Sequence, residues 1–159
     1  MKHMPRLALL ALALASPACG SSDDTSAPDA TNCASDSRAE QFTAGMGKLG
    51  DAGLIHFTLV SSTPAPPARN DNDWVIALTD AGGTPLTGAT MSVKPFMPDH
   101  NHGTGIVASV NETSTPGTYD ASPVNLFMPG VWEVTITARP AGGGAADTDA
   151  AKFTFCVDN

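Results

Sequence analysis

The chain is poor in several residue types that nucleic-acid-binding proteins and many enzymes depend on. Of its 159 residues only 15% are charged and 6% are aromatic, and it contains one tyrosine, three cysteines and four histidines. Eight basic residues against sixteen acidic ones give a net charge of −8, which disfavours binding to nucleic acid or anionic lipid headgroups. The G-x-S-x-G, Walker, H-E-x-x-H and C-x-x-C motifs are also missing. These shortages argue against an enzyme, and we expect no catalytic residues.

The N-terminus carries the longest apolar run in the sequence. Lys2 and Arg6 precede nine consecutive apolar residues at positions 7–15. Nine residues span about 14 Å as a helix, too short for the roughly 30 Å core of a bilayer. Small residues follow at positions 16–18. We therefore predict that residues 1–18 are a secretory signal peptide that is removed from the mature protein.

Cys19 follows this segment directly. A cysteine in this position is typical of bacterial lipoproteins, in which the thiol is lipidated and the chain is cut in front of it. Ser16 stands where such signals normally have leucine, so an ordinary secreted protein cut at the same place remains the alternative. We predict a lipid anchor at Cys19 as the membrane attachment, and a location in the cell envelope on the extracytoplasmic side. Residues 19–32, rich in Ser, Asp and Thr, are predicted to be a flexible tether.

The cysteine count agrees with lipidation. An exported protein with three cysteines has one thiol without a partner. If Cys19 carries lipid, Cys33 and Cys156 are left to form a disulfide in an oxidising compartment. Such a bond would join the start of the folded domain to its last strand and stabilise it by roughly 4–5 kcal/mol. Loss of residues 1–18 removes two basic residues and makes the net charge −10.

Residues 33–159 are predicted to form one all-β domain. Apolar and polar residues alternate with a period of two, and Gly, Pro, Asn and Asp separate the segments, as is typical of an antiparallel sandwich. In the clearest segment Trp132, Val134 and Ile136 are predicted to face inward and Val131 outward, and in the last segment Cys156 is predicted to face outward. Only residues 37–49 offer a possible helix. The predicted strands are 54–60, 73–79, 90–96, 105–110, 118–121, 124–127, 131–138 and 152–157, which favours an immunoglobulin-like antiparallel β-sandwich of about seven to eight strands.

The residues with the most distinctive chemistry lie at positions 97–103. Met97, His100 and His102 are separated there by turn-forming residues, and the two histidines are among the three that follow residue 18. Imidazole alone suits zinc, copper or nickel, whereas an added thioether favours copper and especially Cu(I). Met128, at the end of another predicted strand, is a fourth candidate ligand. The sequence thus predicts a copper site in this loop.

Other interpretations of these residues remain open at this point. An H-x-H sequence in a loop can be a solvated polar turn, and methionines in β proteins usually fill the core. Met91 is predicted to be such a core residue, and His56 is expected to be an ordinary surface histidine. Asp99 is either a carboxylate ligand or a residue that caps the turn.

Four short motifs occur in a fixed order along the domain. They are D-A-G-G-T-P-L-T-G-A at 80–89, M-P-D-H-N-H at 97–102, G-T-Y at 117–119 and M-P-G-V-W-E-V at 128–134. This order resembles the YtkA-like domain, which is related to FixH, over about residues 54–138. The resemblance implies an immunoglobulin-like sandwich on the extracytoplasmic side and a role in copper handling or oxidase assembly. It assigns Met97, His100, His102 and Met128 as copper candidates, and it implies structural roles for Trp132 in the core and Tyr119 at a corner. The alternative for Trp132 is a place close to the site, where it would shield bound copper from solvent.

Two functional hypotheses follow from the sequence. The first is an exported lipoprotein that binds copper through the Met/His loop, for sequestration or for delivery to an envelope copper-transport or oxidase-assembly protein. The alternative is a metal-independent structural or protein-interaction module at the cell envelope. An enzyme is not expected, because a hydrolytic zinc site usually needs three protein ligands and a nearby general base.

Overall fold

A computed structural model describes residues 33–158. The predicted signal peptide at 1–18, the lipidation of Cys19 and the tether at 19–32 lie outside the described residues. No helix within residues 33–158 is long and apolar enough to cross a membrane.

The domain is built from antiparallel strands. Nine strands are present between residues 33 and 158, one of only two residues, together with a single turn of 3-10 helix at Ala145–Asp147. The fold class is therefore the predicted immunoglobulin-like β-sandwich. The strands are β1 (Met46–Leu49), β2 (Ile55–Thr63), β3 (Asn70–Asp80), β4 (Thr90–Met97), β5 (His102–Gly103), β6 (Ser109–Glu112), β7 (Thr118–Leu126), β8 (Gly130–Arg139) and β9 (Asp149–Val157).

The strands form two sheets that face each other. The five-stranded sheet has the order β1-β2-β3-β7-β6, and the four-stranded sheet has the order β5-β4-β8-β9. Alternate residues of both sheets point into one core, as the period-two pattern predicts. Trp74 and Phe155 meet edge to face across this core with their ring centroids 5.8 Å apart. Trp132 is fully buried, so its predicted core position is confirmed.

Tyr119 ties a loop to the sandwich, as its predicted corner role requires. Its hydroxyl donates a hydrogen bond to the Leu86 carbonyl over 2.6 Å and accepts one from the Ala89 amide over 2.8 Å. The ring itself is buried. One side chain thus satisfies two backbone groups of the segment between β3 and β4.

Three expectations about secondary structure were wrong. Residues 37–49 do not form a helix, because their last four residues join β2 as β1. The predicted strand at 105–110 is mostly irregular, and β6 begins only at Ser109. The segments predicted at 118–121 and 124–127 belong to one strand, β7. Pro123 lies within it, beyond Ser122, where the pairing with β6 ends. A register shift in the pairing with β3 accommodates the proline there.

Residues 33–40, here called the N-terminal strap, lie against the four-stranded sheet. The predicted disulfide between Cys33 and Cys156 is confirmed. At the other end of the strap, the Glu40 amide donates to the Thr154 carbonyl over 2.7 Å, and the Thr154 amide donates to the Glu40 carboxylate over 2.8 Å. The strap is therefore fastened to β9 at both ends.

The predicted outward position of Val131 needs a correction. Val131 is only 2% exposed, although it lies on the outer face of the sheet. It is the cross-strand partner of Cys156, whose disulfide brings Cys33 onto that face. Alternation along one strand cannot reveal such a cover, because it comes from a segment far away in the sequence.

At the opposite end of the sheet, Asp149 holds the turn between β1 and β2. This carboxylate is 2% exposed and accepts hydrogen bonds from the amides of Ala52, Leu54, Ile55 and Ala150 at 2.7–3.0 Å. Gly50 leaves the necessary room, since a Cβ there would lie 2.2 Å from the carboxyl carbon. Burial opposes ionisation, but the four N–H donors outweigh it and hold the pKa of Asp149 below its ordinary value.

Candidate metal centre

The two histidines of the loop lie in a tight hairpin between β4 and β5. Residues 98–101 form its four-residue turn, with Asn101 in the left-handed region at φ 53°. Asparagine tolerates this conformation better than most residues. Met97 and His102 are directly paired across the hairpin. Because paired residues of an antiparallel ladder project to the same face, their Cβ atoms are about 5 Å apart and their side chains are neighbours.

His102 packs on two aromatic rings at this end of the core. Its imidazole stacks on Phe127 with centroids 5.5 Å apart and meets the edge of Trp132 at 6.4 Å. The Trp132 indole N–H donates to the Met128 carbonyl over 2.8 Å. This bond fixes the loop between β7 and β8 beside the hairpin. The second predicted sulfur ligand, Met128, therefore belongs to the loop that packs next to His102.

One nitrogen of His102 is held by the backbone. Its Nδ1 lies 3.1 Å from the Gly103 carbonyl oxygen. A carbonyl can only accept, so Nδ1 is the donor in this contact and Nε2 is the remaining ring nitrogen. This arrangement is common for histidines that bind metals through Nε2, since the backbone bond fixes both tautomer and ring orientation.

His100 lies next to His102 at the tip of the hairpin. The two ring centroids are 5.7 Å apart with an interplanar angle of 68°. Two imidazoles that share one ion, each with a metal–nitrogen bond of about 2 Å, have centroids roughly 5–6 Å apart. His100 is exposed and His102 is half-buried. The pair therefore has a spacing suited to one ion close to the protein surface.

Asp99 is engaged by an arginine of the N-terminal strap. Arg38 donates from Nη1 and Nη2 to the two carboxylate oxygens of Asp99 at 2.8 and 2.7 Å. The same guanidinium also binds Asp36, at 2.6 Å in the closest contact. These hydrogen bonds hold the pKa of Asp99 below its ordinary value and lower the pKa of Asp36 to about 2. Asp99 is thus neither a backbone cap of the turn nor close enough to complete a group with both imidazoles.

The sulfur atoms of methionine and cysteine are the other donors to consider near the two histidines. Within residues 33–158, the one group of three His, Cys, Asp or Glu side chains with mutually close ligand atoms is Cys33, Cys156 and Asp158. Its two cysteines form the disulfide and offer no thiolate. Met97 is fully buried and belongs to the core cluster, and Met128 is partly buried against it. Met97 therefore reaches an ion only from the inner side of the hairpin, where His102 lies opposite.

Other predicted positions lie away from the hairpin. His56 is exposed on β2, in the other sheet, where its Nδ1 is 3.4 Å from the Thr58 hydroxyl. Met91 is partly buried against the core, as predicted. A groove of about 400 Å³ between β4 and residues 104–110 is lined mainly by apolar side chains and does not include either histidine of the hairpin.

Two residues beside the hairpin were not predicted from the sequence. Phe127 supplies the ring under His102, and its place directly before Met128 was the available clue. Arg38 lies 61 residues from Asp99, and no local pattern indicates their contact. The position of Arg38 between Cys33 and the start of β1 indicated only that it belongs to the segment that the disulfide joins to β9.

Comparisons with known proteins give one family model and two solved structures to which the chain is similar. A family model described as YtkA-like matches residues 52–137. The chain is similar to the structure of a copper-bound variant of FetP from uropathogenic Escherichia coli strain F11, with 11% identity and a TM-score of 0.48 over 74% of this chain and 92% of that one. A second structure, of FetP from the same strain in its 'as isolated' form, gives 11% identity and a TM-score of 0.45 over 75% and 97% of the two chains. The search of curated proteins found no match.

Proposed function

The chain belongs to the YtkA-like family, and from this premise we propose that it binds copper as Cu(I) in the hairpin between β4 and β5. His100 and His102 supply imidazole nitrogens, and Met97 and Met128 supply thioether sulfurs. The protein is exported, anchored by lipid at Cys19, and faces the extracytoplasmic side of the envelope. It holds the ion for sequestration or for delivery to an envelope partner, such as a copper-transport or oxidase-assembly protein.

The observation that carries this proposal is the pairing of Met97 with His102. The register places a thioether and an imidazole on one face of a two-residue ladder. The backbone bond at Nδ1 leaves Nε2 of His102 as the donor atom, and His100 lies 5.7 Å away between ring centroids. These contacts support a soft metal site.

The donor types favour copper over other ions. A combination of imidazole and thioether suits Cu(I) better than zinc, and much better than magnesium or calcium, which prefer oxygen. Asp99, which directly precedes His100, could offer an oxygen ligand, but its carboxylate is bound by Arg38. Phe127 and Trp132 beside His102 provide an apolar wall that limits the access of water to the inner side of the site.

The exposure of His100 suits transfer of the ion. A partner ligand can approach the exposed imidazole and displace it while the half-buried His102 still holds the metal. Stepwise ligand exchange of this kind avoids release of free copper. The proposal therefore describes a carrier or a buffer, with the final ligand supplied by the receiving protein.

We also propose that the protein is not an enzyme. A hydrolytic zinc site needs three protein ligands and a base that positions water. In the described part of the chain, neither a third histidine nor an available carboxylate lies close to both imidazoles. The arrangement supports binding of an ion rather than activation of water.

The proposal is tested by Cu(I) titration against a competing chelator. The protein is purified without residues 1–18 and with Cys19→Ser, so that neither lipid nor a third thiol interferes. We expect His100→Ala/His102→Ala to lower Cu(I) affinity at least about 100-fold, equivalent to roughly 2.7 kcal/mol. Equal, weak binding by the wild type and the double variant would contradict the proposal and favour the metal-independent module.

Matched variants separate the sulfur ligands from packing. Met97→Leu and Met128→Leu keep volume and apolarity but remove the thioether, so their cost in stability should stay below about 1.5 kcal/mol. A methionine that binds copper should lower Cu(I) affinity when replaced and leave Zn(II) affinity almost unchanged. His56→Ala, on the other sheet, is the control and should bind Cu(I) like the wild type.

A further inference from the structure

Arg38 lies outside the family-matched segment and contacts the turn of the hairpin through charged hydrogen bonds. The match begins at residue 52, whereas Arg38 lies in the N-terminal strap. Its guanidinium grips both oxygens of Asp99 in the planar, two-bond arrangement that arginine forms with carboxylates. Asp99 precedes the candidate ligand His100 directly.

The strap holds Arg38 in position from both sides. Cys33 is joined to Cys156, and Glu40 exchanges two hydrogen bonds with Thr154. Asp36 binds the same guanidinium and its backbone amide, which restricts the arginine further. Little side-chain freedom therefore remains to be lost when Arg38 binds Asp99.

This contact occupies the one carboxylate of the hairpin turn. Asp99 lies in the same four-residue turn as His100, so a free carboxylate would be within reach of an ion held by the imidazoles. With Arg38 in place, Asp99 does not form a group of mutually close ligand atoms with His100 and His102. A carboxylate is a hard ligand that favours divalent ions such as Zn(II), whereas the imidazole and thioether donors that remain favour Cu(I).

We propose that Arg38 is a specificity-determining residue that keeps Asp99 out of the metal site and so makes the hairpin selective for Cu(I) over divalent ions. The inference rests on the proposed function, because it assumes that the hairpin binds metal. Arg38 acts through Asp99 and does not touch the ion. Its positive charge acts in the same direction, since it repels a divalent ion more strongly than a monovalent one.

The test compares Zn(II) and Cu(I) affinities of four proteins by competition with chelators: the wild type, Arg38→Ala, Asp99→Asn and Arg38→Ala/Asp99→Asn. Arg38→Ala should raise Zn(II) affinity about tenfold, the lower end of the effect of groups that act on a metal ligand from outside. Its Cu(I) affinity should change by less than about threefold. Asp99→Asn should abolish the gain in Zn(II) affinity when combined with Arg38→Ala.

A charge control completes the experiment. Lys152→Ala removes one positive charge and the surface ion pair with Glu133 without touching Asp99, and it should leave the preference between the ions unchanged. A gain in Zn(II) affinity that persists in the double variant, or that Lys152→Ala reproduces, would overturn the role of Asp99. No gain in Arg38→Ala would overturn the inference as a whole.

Failure of the proposed function can be told apart from failure of the inference about Arg38. If the wild type binds no Cu(I), the proposed function fails whatever Arg38→Ala does with Zn(II). If the wild type binds Cu(I) and Arg38→Ala shifts both metals equally, only the inference fails. Thermal unfolding of each variant without metal shows whether it is folded.

Discussion

Two carboxylates at opposite ends of the four-stranded sheet are used in opposite ways. Asp149 is 2% exposed and accepts four backbone hydrogen bonds, whereas the side chain of Asp99 is 46% exposed and binds one arginine side chain at the surface. Along β8 the two ends are six residues apart, at Ala138 and Trp132, which corresponds to about 20 Å. The Asp149 end is a structural anchor with its polar groups satisfied, and the hairpin end keeps donor atoms available for a ligand.

If the hairpin binds copper as proposed, this difference separates stability from binding. A buried carboxylate with several N–H donors stabilises the fold strongly, because its removal leaves those donors without partners. A surface ion pair contributes little to stability, about 0–1 kcal/mol, but can still direct a neighbouring side chain. The polar contacts of Asp149 are therefore expected to contribute more to stability than the ion pair of Asp99 does.

The largest effect on the free energy of unfolding is expected for Asp149→Asn. The amide keeps the shape of the side chain but replaces an accepting oxygen with an N–H donor that faces backbone N–H groups. We expect the free energy of unfolding to fall by about 3 kcal/mol in urea titration at pH 7. Metal affinity of the folded protein should be unchanged.

Asp51→Asn is the matched control for this variant. Asp51 lies in the same turn, but it is exposed. Its replacement should change the free energy of unfolding by less than about 0.5 kcal/mol. If both variants destabilise the protein equally, the backbone bonds to Asp149 are not what holds the turn.

A smaller and graded effect is expected on acidification. The pKa of Asp149 is below its ordinary value in the folded state and close to 3.9 in the unfolded chain. The unfolded state therefore takes up the proton first, so the contribution of Asp149 to stability is fully present above about pH 4–5 and is lost as the pH falls through the folded pKa.

Asp149→Asn provides the reference for this pH dependence. The lowered pKa of exposed Asp36 gives a loss in the same direction, but it is common to both proteins. The difference in unfolding free energy between the wild type and Asp149→Asn should therefore be constant near pH 7 and shrink towards pH 3. A difference that does not vary with pH would contradict the assignment.

The contrast between the two ends also explains what the sequence could predict. Alternation in β8 identifies Trp132 and Val134 as inward because the pattern is local and strong. The candidate ligands were recognisable for a similar reason, since Met97, His100 and His102 lie within six residues of each other, although the segment was predicted as a loop and its pairing as a hairpin was not. Local chemistry of this kind can be recognised without knowing the fold.

Contacts between distant segments could not be predicted in this way. The backbone around residue 40 bonds to β9 rather than to itself, so the possible helix at 37–49 does not form. Val131 is buried on the outer face where the disulfide brings in the strap. The bonds of Asp149 to a turn more than 90 residues earlier and of Arg38 to Asp99 depend on the same long-range packing. A polar residue in a sequence does not indicate which distant donor it will meet.

The smallest effect on stability is expected for His100→Ala, measured on the protein without metal. His100 is exposed at the tip of the hairpin, so its removal should change the free energy of unfolding by less than about 0.5 kcal/mol. His56 is also exposed, so His56→Ala should change the free energy of unfolding as little as His100→Ala does. It should keep the Cu(I) affinity that His100→Ala reduces. A loss of more than about 1 kcal/mol in His100→Ala alone would make His100 a structural residue of the turn. The hairpin would then resemble the Asp149 end, and the separation between anchor and binding site would not hold.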